Sequence, residues 1–263
     1  MISILTIIFF ALGLIIGSFL NVVVFRFNTN RTFRGRSGCM TCQSILSPKD
    51  LVPVFSFLFL KGRCRNCKSR ISIQYPIVEF VTGVIFASLF LKFQDVFFMD
   101  TLAFSITYAY YVTMFSVLLV VAVYDLRHKI IPDSLSFVFS IITFIGLFFF
   151  ANYQFYPHIP TILELASGVL LSLPFALVWF LSRGAWMGLG DAKLSLGLGW
   201  LLGFSRILSG AVVAFWSGAI IGLLLILFSK KHNIKSEIPF APFLVLGVLV
   251  AFLFELTLFP VGF

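Results

Sequence analysis

The sequence predicts an all-α polytopic membrane protein with about eight transmembrane helices and one small polar insert. Of its 263 residues 60% are hydrophobic, and only 19 Lys and Arg and 10 Asp and Glu carry full charges. A spanning helix needs about 20 apolar residues. The composition therefore excludes a soluble globular protein, and the length leaves no room for a second large soluble domain.

Eight apolar runs account for the predicted helices. We interpret the first, residues 2–25, as a retained transmembrane helix and not a cleaved signal peptide, because it lacks a basic start and is too long. The run at 194–204 is short and rich in glycine, so it crosses only if its helix begins upstream, near Gly190 or Asp191. The remaining runs cover residues 75–91, 101–124, 134–151, 161–182, 207–228 and 242–258.

The basic residues predict the orientation of the chain in the membrane. Ten of the 19 lie between Arg26 and Arg70, together with one acid, Asp50. Basic loops beside membrane helices stay in the cytoplasm. Strict alternation of eight spans then places 17 basic residues on the cytoplasmic side and only Lys92 and Arg206 opposite. We therefore attribute the excess of basic over acidic residues to the orientation of the chain in the membrane. We expect no nucleic-acid partner.

The predicted organisation is a first transmembrane helix over residues 1–25, a cytoplasmic insert over 26–73 and a multi-helix membrane domain over 74–263. Within the insert, residues 50–60 (DLVPVFSFLFL) are apolar but too short to cross the bilayer. We interpret them as an interfacial segment in contact with the lipid bilayer.

All four cysteines of the chain lie in the insert, as two C-x-x-C pairs separated by 21 residues. This spacing is typical of a zinc ribbon with four thiolate ligands, and the small insert has few other residues to build a core. Disulfides and redox catalysis are the alternatives, but a reducing cytoplasm disfavours disulfides. Four thiolates close the coordination shell, so the ion would be structural. The predicted ligands are Cys39, Cys42, Cys64 and Cys67.

Two acids mark the cytoplasmic ends of predicted helices. Asp125 ends the 101–124 run, and Asp191 lies in the sequence GLGDAK at 188–193. Two carboxylates at one depth could share a proton and activate water, and Gly188 and Gly190 would let an extended backbone approach closely. The alternatives are ion pairing of Asp125 with Arg127 or Lys129, and an N-cap role for Asp191.

Two further acids have separate interpretations. Asp133 follows Pro132 and is predicted to cap the next helix, near the site. Glu79 stands one turn into the second span, so it should face a protein or water-filled interior, where it could bind a cation.

The order and spacing of these motifs resemble the bacterial type IV prepilin peptidases, bifunctional leader peptidases and N-methyltransferases of the GxGD aspartic class. The resemblance covers nearly the whole chain. It rests on GSFLNVV at 17–23, the paired C-x-x-C motifs, ISIQYPIVE at 71–79, Asp125 followed by IPD at 131–133, GLGDAK at 188–193 and IPFAPF at 238–243.

The resemblance implies that Asp125 and Asp191 are catalytic, with Gly188, Gly190, Lys193 and Asp133 lining the substrate path or supporting the site. It implies cleavage of the basic leader of a prepilin or pseudopilin precursor after a glycine, at the cytoplasmic face of the bacterial inner membrane. It also implies structural zinc and N-methylation from S-adenosylmethionine, for which the residues considered are Glu79 and Gly83.

One departure from the family pattern is Ala241, which replaces a glycine in IPFAPF, and we expect it to leave the aspartates untouched. Two other functions fit parts of the sequence. A zinc-ribbon adaptor for pilus or secretion assembly would use the insert without proteolysis. A transporter could use the acids as a proton relay, but the acids cluster at one face and not at the midplane.

Overall fold

The computed structural model describes residues 2–29, 35–228 and 238–258, and it is predominantly helical. The chain divides into two compact units at the boundary between Met99 and Asp100. The first contains α1 (Ile2–Arg26), a 3₁₀ turn (Pro48–Leu51), α2 (Phe55–Phe59) and α3 (Gln74–Met99). The second contains α4 (Thr101–His128), α5 (Asp133–Gly146), β1 (Phe150–Ala151), β2 (Gln154–Phe155), α6 (Ile162–Ser182), α7 (Leu189–Leu202), α8 (Ile207–Phe228) and α9 (Ala241–Leu253).

Each of the eight apolar runs forms a helix, but the prediction of about eight spans is not confirmed. Among the described residues, five helices are long and apolar enough to cross a membrane, namely α1, α3, α4, α6 and α8. The helices α5 and α7 have 14 residues and α9 has 13. At 1.5 Å per residue such helices extend only about 20 Å, less than the roughly 30 Å hydrocarbon core.

Five of the 17 basic residues that we assign to the cytoplasmic side lie outside the described residues: Arg31, Arg34, Lys230, Lys231 and Lys235. The glycine-rich helix does begin upstream of its apolar run, because α7 starts at Leu189 and includes Asp191, but with 14 residues it is not among the candidate spans.

Small residues bring α1 and α3 together in the first unit. A Cβ atom on Gly17 would lie 2.7 Å from the Cα atom of Glu79, and one on Gly13 would lie 2.7 Å from the Cα atom of Gly83. Glycines four residues apart on one face allow this close approach of two helix backbones, which is a frequent arrangement between membrane helices. The side chain of the buried Asn21 adds a hydrogen bond of 3.1 Å from Nδ2 to the carbonyl oxygen of Tyr75.

In the second unit α7 is the central helix. It packs against α5, α6, α8 and α9, and four of its leucines are almost completely buried: Leu194, Leu198, Leu201 and Leu202. The helix α4 packs against α9, where the rings of Phe115 and Phe252 lie 5.1 Å apart. Both α4 and α7 carry a predicted catalytic aspartate near one end, so this packing positions the site.

Candidate active site and metal centre

Asp125 lies in the last turn of α4 and is buried, with 4% of its surface exposed. The helix ends just beyond it, where Lys129 takes a left-handed conformation and donates its backbone N–H to the carbonyl oxygen of Asp125 at 2.7 Å. The Oδ2 atom of Asp125 accepts a hydrogen bond of 3.2 Å from the backbone N–H of Ala241, at the start of α9. The carboxylate is therefore held by a donor from a helix far away in sequence.

Asp191 is the third residue of α7 and is also buried, with 8% of its surface exposed. Its carboxylate interacts with the backbone N–H of Gly188 and lies close enough to Asp125 for a direct electrostatic interaction. The Oδ1 atom of Asp191 is buried and has no hydrogen-bond partner within the described part of the chain. The structure thus brings the two predicted catalytic carboxylates together and leaves one oxygen atom available.

The two alternative roles for these aspartates do not match the structure. Across residues 2–29, 35–228 and 238–258, no ion pair joins Asp125 to Arg127 or Lys129. The N-cap of α7 is Gly188 and not Asp191. Buried acids without a paired cation are costly in an apolar setting and indicate a functional site.

The two glycines of the GLGD sequence have different surroundings. A Cβ atom on Gly190 would lie 2.9 Å from the Cβ atom of Ile131, so this glycine allows the loop between α4 and α5 to pack against α7. A Cβ atom on Gly188 would meet only the Oδ2 atom of Asp191, at 3.8 Å, and a backbone nitrogen at 3.9 Å. The space next to Gly188, beside the Asp191 carboxylate, is therefore open. The space next to Gly190 is filled by the side chain of Ile131.

Lys193 and Asp133 form an ion pair with an Nζ–Oδ1 distance of 2.9 Å, which links α7 to α5. Both side chains are substantially exposed, so the pair contributes at most about 1 kcal/mol to stability. The predicted helix-cap role of Asp133 is wrong, because Pro132 is the N-cap and Asp133 is the first residue of α5. Its carboxylate instead pairs with Lys193, two residues after Asp191 on α7.

The four cysteines come together as predicted, and their Sγ atoms all lie within 4.8 Å of one another. Each pair lies on a turn with the same hydrogen bonds. The N–H of Cys39 bonds to the carbonyl of Ser44, and the N–H of Cys64 bonds to that of Ser69. Both turns close with a residue of positive φ four positions after the first cysteine. Two equivalent turns present four thiols to one point.

The donor set fits a tetrahedral metal ion. A zinc ion with Zn–S bonds of about 2.3 Å places its ligand atoms about 3.8 Å apart, and the Sγ atoms of Cys39 and Cys67 are 3.8 Å apart. Backbone N–H groups of Cys42 and Thr41 lower the pKa of the Cys39 thiol to about 6, which favours the thiolate that binds metal. All four cysteines are free of disulfides. The cluster could hold zinc.

Glu79 is buried in α3, with 7% of its surface exposed. Its Oε2 atom accepts a hydrogen bond of 2.7 Å from the backbone N–H of Val54, and Ser18 is a second hydrogen-bond partner. Within the described residues, no cation pairs with this carboxylate. Gly83, one turn further along α3, packs against the side chains of Phe10 and Leu14 and so has a structural role.

Two family models match this chain. The Bacterial Peptidase A24 N-terminal domain matches residues 11–93, and the Type IV leader peptidase family matches residues 111–227. A prepilin leader peptidase/N-methyltransferase of Bacillus subtilis (strain 168) is 30% identical over 94% of this chain and 93% of its own length. The chain belongs to the type IV leader peptidase family.

Other relatives of this leader peptidase chain are similar over most of their length. The type 4 prepilin-like proteins leader peptide-processing enzyme of Escherichia coli O78:H11 is 32% identical over 89% of the chain and 88% of its own length. The prepilin leader peptidase/N-methyltransferase of Pectobacterium carotovorum is 29% identical over 90% and 88%. No solved structure matches. Neither of the two matching family models is described as a zinc-ribbon adaptor.

The long apolar helices and the family membership together identify a multi-pass membrane protein.

Sequence reasoning missed two residues at this leader peptidase site and one buried hydroxyl group on α5, a helix that packs against α7. The departure at Ala241 was expected to leave the aspartates untouched, but the backbone N–H of Ala241 binds Asp125. Ile131 packs on Gly190, and the hydroxyl of Ser136 in α5 is buried without a hydrogen-bond partner in the described structure. Ala241 and Ile131 lie inside quoted motifs, IPFAPF and IPD, which was the available signal. Nothing in the sequence distinguishes Ser136.

Replacing Gly190 by Ala should lower the free energy of unfolding by roughly 1–3 kcal/mol, because the added methyl group overlaps the Cβ atom of Ile131. The matched change Gly188→Ala meets only ordinary contacts and should alter stability by less than about 0.5 kcal/mol. Thermal unfolding of both variants in detergent measures the difference. Equal midpoints for the two variants would contradict the packing role of Gly190.

Proposed function

We propose that the protein is a membrane aspartic endopeptidase that removes the basic leader from type IV prepilin-like precursors, after a glycine, at the cytoplasmic face of the membrane. The observation that carries this proposal is the buried pair of carboxylates, Asp125 and Asp191, held by backbone N–H groups and free of ion-pair partners in the described structure. The names of the relatives, which include leader peptide processing, support the same activity.

Peptide hydrolysis needs a base and an acid, and two neighbouring carboxyl groups that share one proton supply both. The ionised carboxylate takes a proton from water while the water oxygen attacks the scissile carbonyl carbon. The protonated carboxyl group gives its proton to the carbonyl oxygen. The tetrahedral intermediate then collapses and the C–N bond breaks. The leaving amine takes a proton from the first carboxyl group, and the second carboxylate takes back a proton from a hydroxyl group of the intermediate, which restores the pair to its starting state. We assign these roles to Asp125 and Asp191 as a pair.

The substrate backbone would approach Asp191 along the open side at Gly188. No side chain occupies the space there, so an extended peptide can reach the carboxylate. The buried, unpaired atoms Oδ1 of Asp191 and Oγ of Ser136 are groups that a water molecule or a peptide amide could satisfy. The Lys193–Asp133 pair would hold the starts of α5 and α7 beside this path.

The membrane and its charge distribution suggest where the reaction takes place. The sequence of the insert, residues 26–73, contains ten basic residues and one acid, which favours a cytoplasmic location. A precursor with a basic leader before an apolar helix places its cleavage point at the same face. We therefore propose the bacterial inner membrane as the location, with the insert and the active site on the cytoplasmic side and prepilins or pseudopilins as substrates.

We further propose that the protein methylates the new N-terminal residue, as the names of its relatives suggest for those proteins. The methyl donor, S-adenosylmethionine, would supply a methyl group carried on a cationic sulfonium. Glu79 is a buried carboxylate whose described hydrogen-bond partners, Val54 and Ser18, are neutral, so its charge could balance a cation. Gly83 contributes the close α1–α3 packing that fixes the position of Glu79.

The four cysteines would hold a structural zinc ion in the insert. The insert contains few buried residues besides Cys64, so a metal would supply much of its stability. Four thiolate ligands leave no open position for water, so the ion would have no part in hydrolysis.

Asp125→Asn and Asp191→Asn should each reduce leader removal by at least roughly 10²–10⁴-fold, because each deletes one proton-transfer group. Intact-mass analysis of a co-expressed precursor measures this. Asp100→Asn is the matched control, because it makes the same change at the N-cap of α4, where Asn also caps well. Normal cleavage by either site variant would refute the catalytic pair.

Glu79→Gln should abolish N-methylation and leave leader removal intact. Glutamine can still accept the N–H of Val54 through its side-chain oxygen, so the variant removes the charge while it preserves this contact. The mass of the mature substrate shows both activities, because methylation adds one methyl group to the cleaved product. A fully methylated product from Glu79→Gln would show that the charge is not needed.

The purified protein should contain one zinc ion per chain, and Cys64→Ser should lose most of it, because one of four thiolate ligands is deleted. Elemental analysis by mass spectrometry measures the metal content. Asn66→Ala changes an exposed residue of the same turn and keeps all four thiols, so it should retain the zinc. Zinc-free wild-type protein, purified without chelator, would contradict the assignment.

A further inference from the structure

The insert carries an exposed apolar surface that no described element covers. It is formed by the last residue of the 3₁₀ turn, α2 and the residues between them, a segment that we call the apolar loop (residues 51–59). Phe59 is 84% exposed and Leu58 62% exposed. The other exposed members are Leu51, Val52 and Phe55. Contiguous apolar surface on a water-facing segment marks an interaction site.

One hydrogen bond fixes the depth of the apolar loop. The backbone N–H of Val54 donates to Oε2 of Glu79 at 2.7 Å, so the loop lies beside the sixth residue of α3. That position is about 7.5 Å along the helix axis from Gln74. On the outer side of α3, Ile77 and Phe80 are already more than half exposed and apolar, as expected for lipid contact. The loop therefore lies level with the edge of the hydrocarbon region.

The backbone of the apolar loop is strained at this point. Val54 has φ 61° and ψ −53°, which is unfavourable for a β-branched residue. Such a conformation persists only where surrounding contacts determine it. The carboxylate of Glu79 provides one of these contacts, because it accepts the N–H of the strained residue. The position of the apolar loop is therefore set in part by its contact with α3, and not by its own local sequence alone.

Charge around the apolar loop identifies its partner. Lys49, Lys61 and Arg63 flank it and are exposed. The single acid nearby is Asp50, whose side chain is 7% exposed and is paired with Arg65 at 2.8 Å. A rim of exposed basic residues around an apolar surface matches a membrane surface with anionic headgroups.

We propose that the apolar loop is a membrane anchor, with Leu58 and Phe59 inserted at the boundary of the acyl chains and Lys61 and Arg63 bound to anionic lipid headgroups. Glu79 acts as a positioning residue that sets the depth of the anchor through Val54. The insert is then attached to the bilayer by the apolar loop as well as by the ends of α1 and α3. This additional attachment fixes the orientation of the insert at the membrane surface.

Fluorescence quenching by lipids with brominated acyl chains tests the anchor in the full chain. Phe59→Trp protein is reconstituted into vesicles of phosphatidylcholine and phosphatidylglycerol, and wild-type protein is subtracted for its four native Trp. The added fluorescence should fall about twofold or more with brominated lipid. Phe80→Trp on α3 is the positive control, and Asn66→Trp on the second cysteine turn should be quenched much less. If Phe59→Trp fails to fold, Phe55→Trp replaces it.

The basic rim is tested in the same vesicles. Lys61→Gln combined with Arg63→Gln should lower the quenching of Phe59→Trp in phosphatidylglycerol vesicles to the level found with phosphatidylcholine alone. Equal quenching in both lipids for the unmodified rim would refute the anionic partner. If Phe80→Trp is quenched and the loop reporters are not, the anchor is refuted. A loop signal that responds only to an added precursor protein would identify a protein-docking surface instead.

Discussion

The arrangement of the second unit depends on the burial of two carboxylates that are close enough to interact electrostatically. Asp125 and Asp191 repel each other when both are charged, and an apolar setting makes each charge costly. Two backbone N–H groups offset this cost, one from Ala241 and one from Gly188. Both donors lie at the starts of helices, where N–H groups have no partner within the helix. The packing of α4, α7 and α9 therefore places these backbone N–H donors next to the two carboxylates.

This constraint explains the glycines and the loop around the site. The loop after α4 must turn back at once so that Ile131 reaches Gly190, and Lys129 in a left-handed conformation allows the turn. The Lys193–Asp133 pair adds an exposed link that contributes little energy but keeps α5 and α7 in register. The close contact between Gly190 and the side chain of Ile131 adds a packed link between the loop and α7.

A second buried carboxylate organises the first unit in a comparable way. Glu79 lies at one of the two close approaches of α1 and α3, beside Gly17, and accepts the N–H of Val54 from the insert. The side chain of Glu79 thus links the packed helices α1 and α3 to the insert that lies between them in sequence. The cysteine cluster brings together the other part of the insert, where the four Sγ atoms lie within 4.8 Å of one another. A metal ion at this cluster would complement the helix packing, because the insert has little core of its own.

The sequence by itself determined the helical class, the eight apolar helices, the cysteine cluster and the two catalytic candidates. Each of these depends on composition, on local spacing or on motif order, which a linear chain carries explicitly. Local patterns also misassigned Asp133 as a helix cap, because a capping residue and one forming an ion pair with a distant lysine have the same local sequence.

Only the tertiary structure decided which groups hold the carboxylates and how far each helix extends. Ala241 is 116 residues from Asp125, and a backbone N–H leaves no mark in a sequence. The helices α5, α7 and α9 are shorter than a straight crossing requires, because helix ends depend on packing and caps as well as on hydropathy. The apolar loop likewise contacts α3 through the hydrogen bond between Val54 and Glu79, which are 25 residues apart. Contacts between distant residues form only when the whole chain is folded, which is why local sequence could not reveal them.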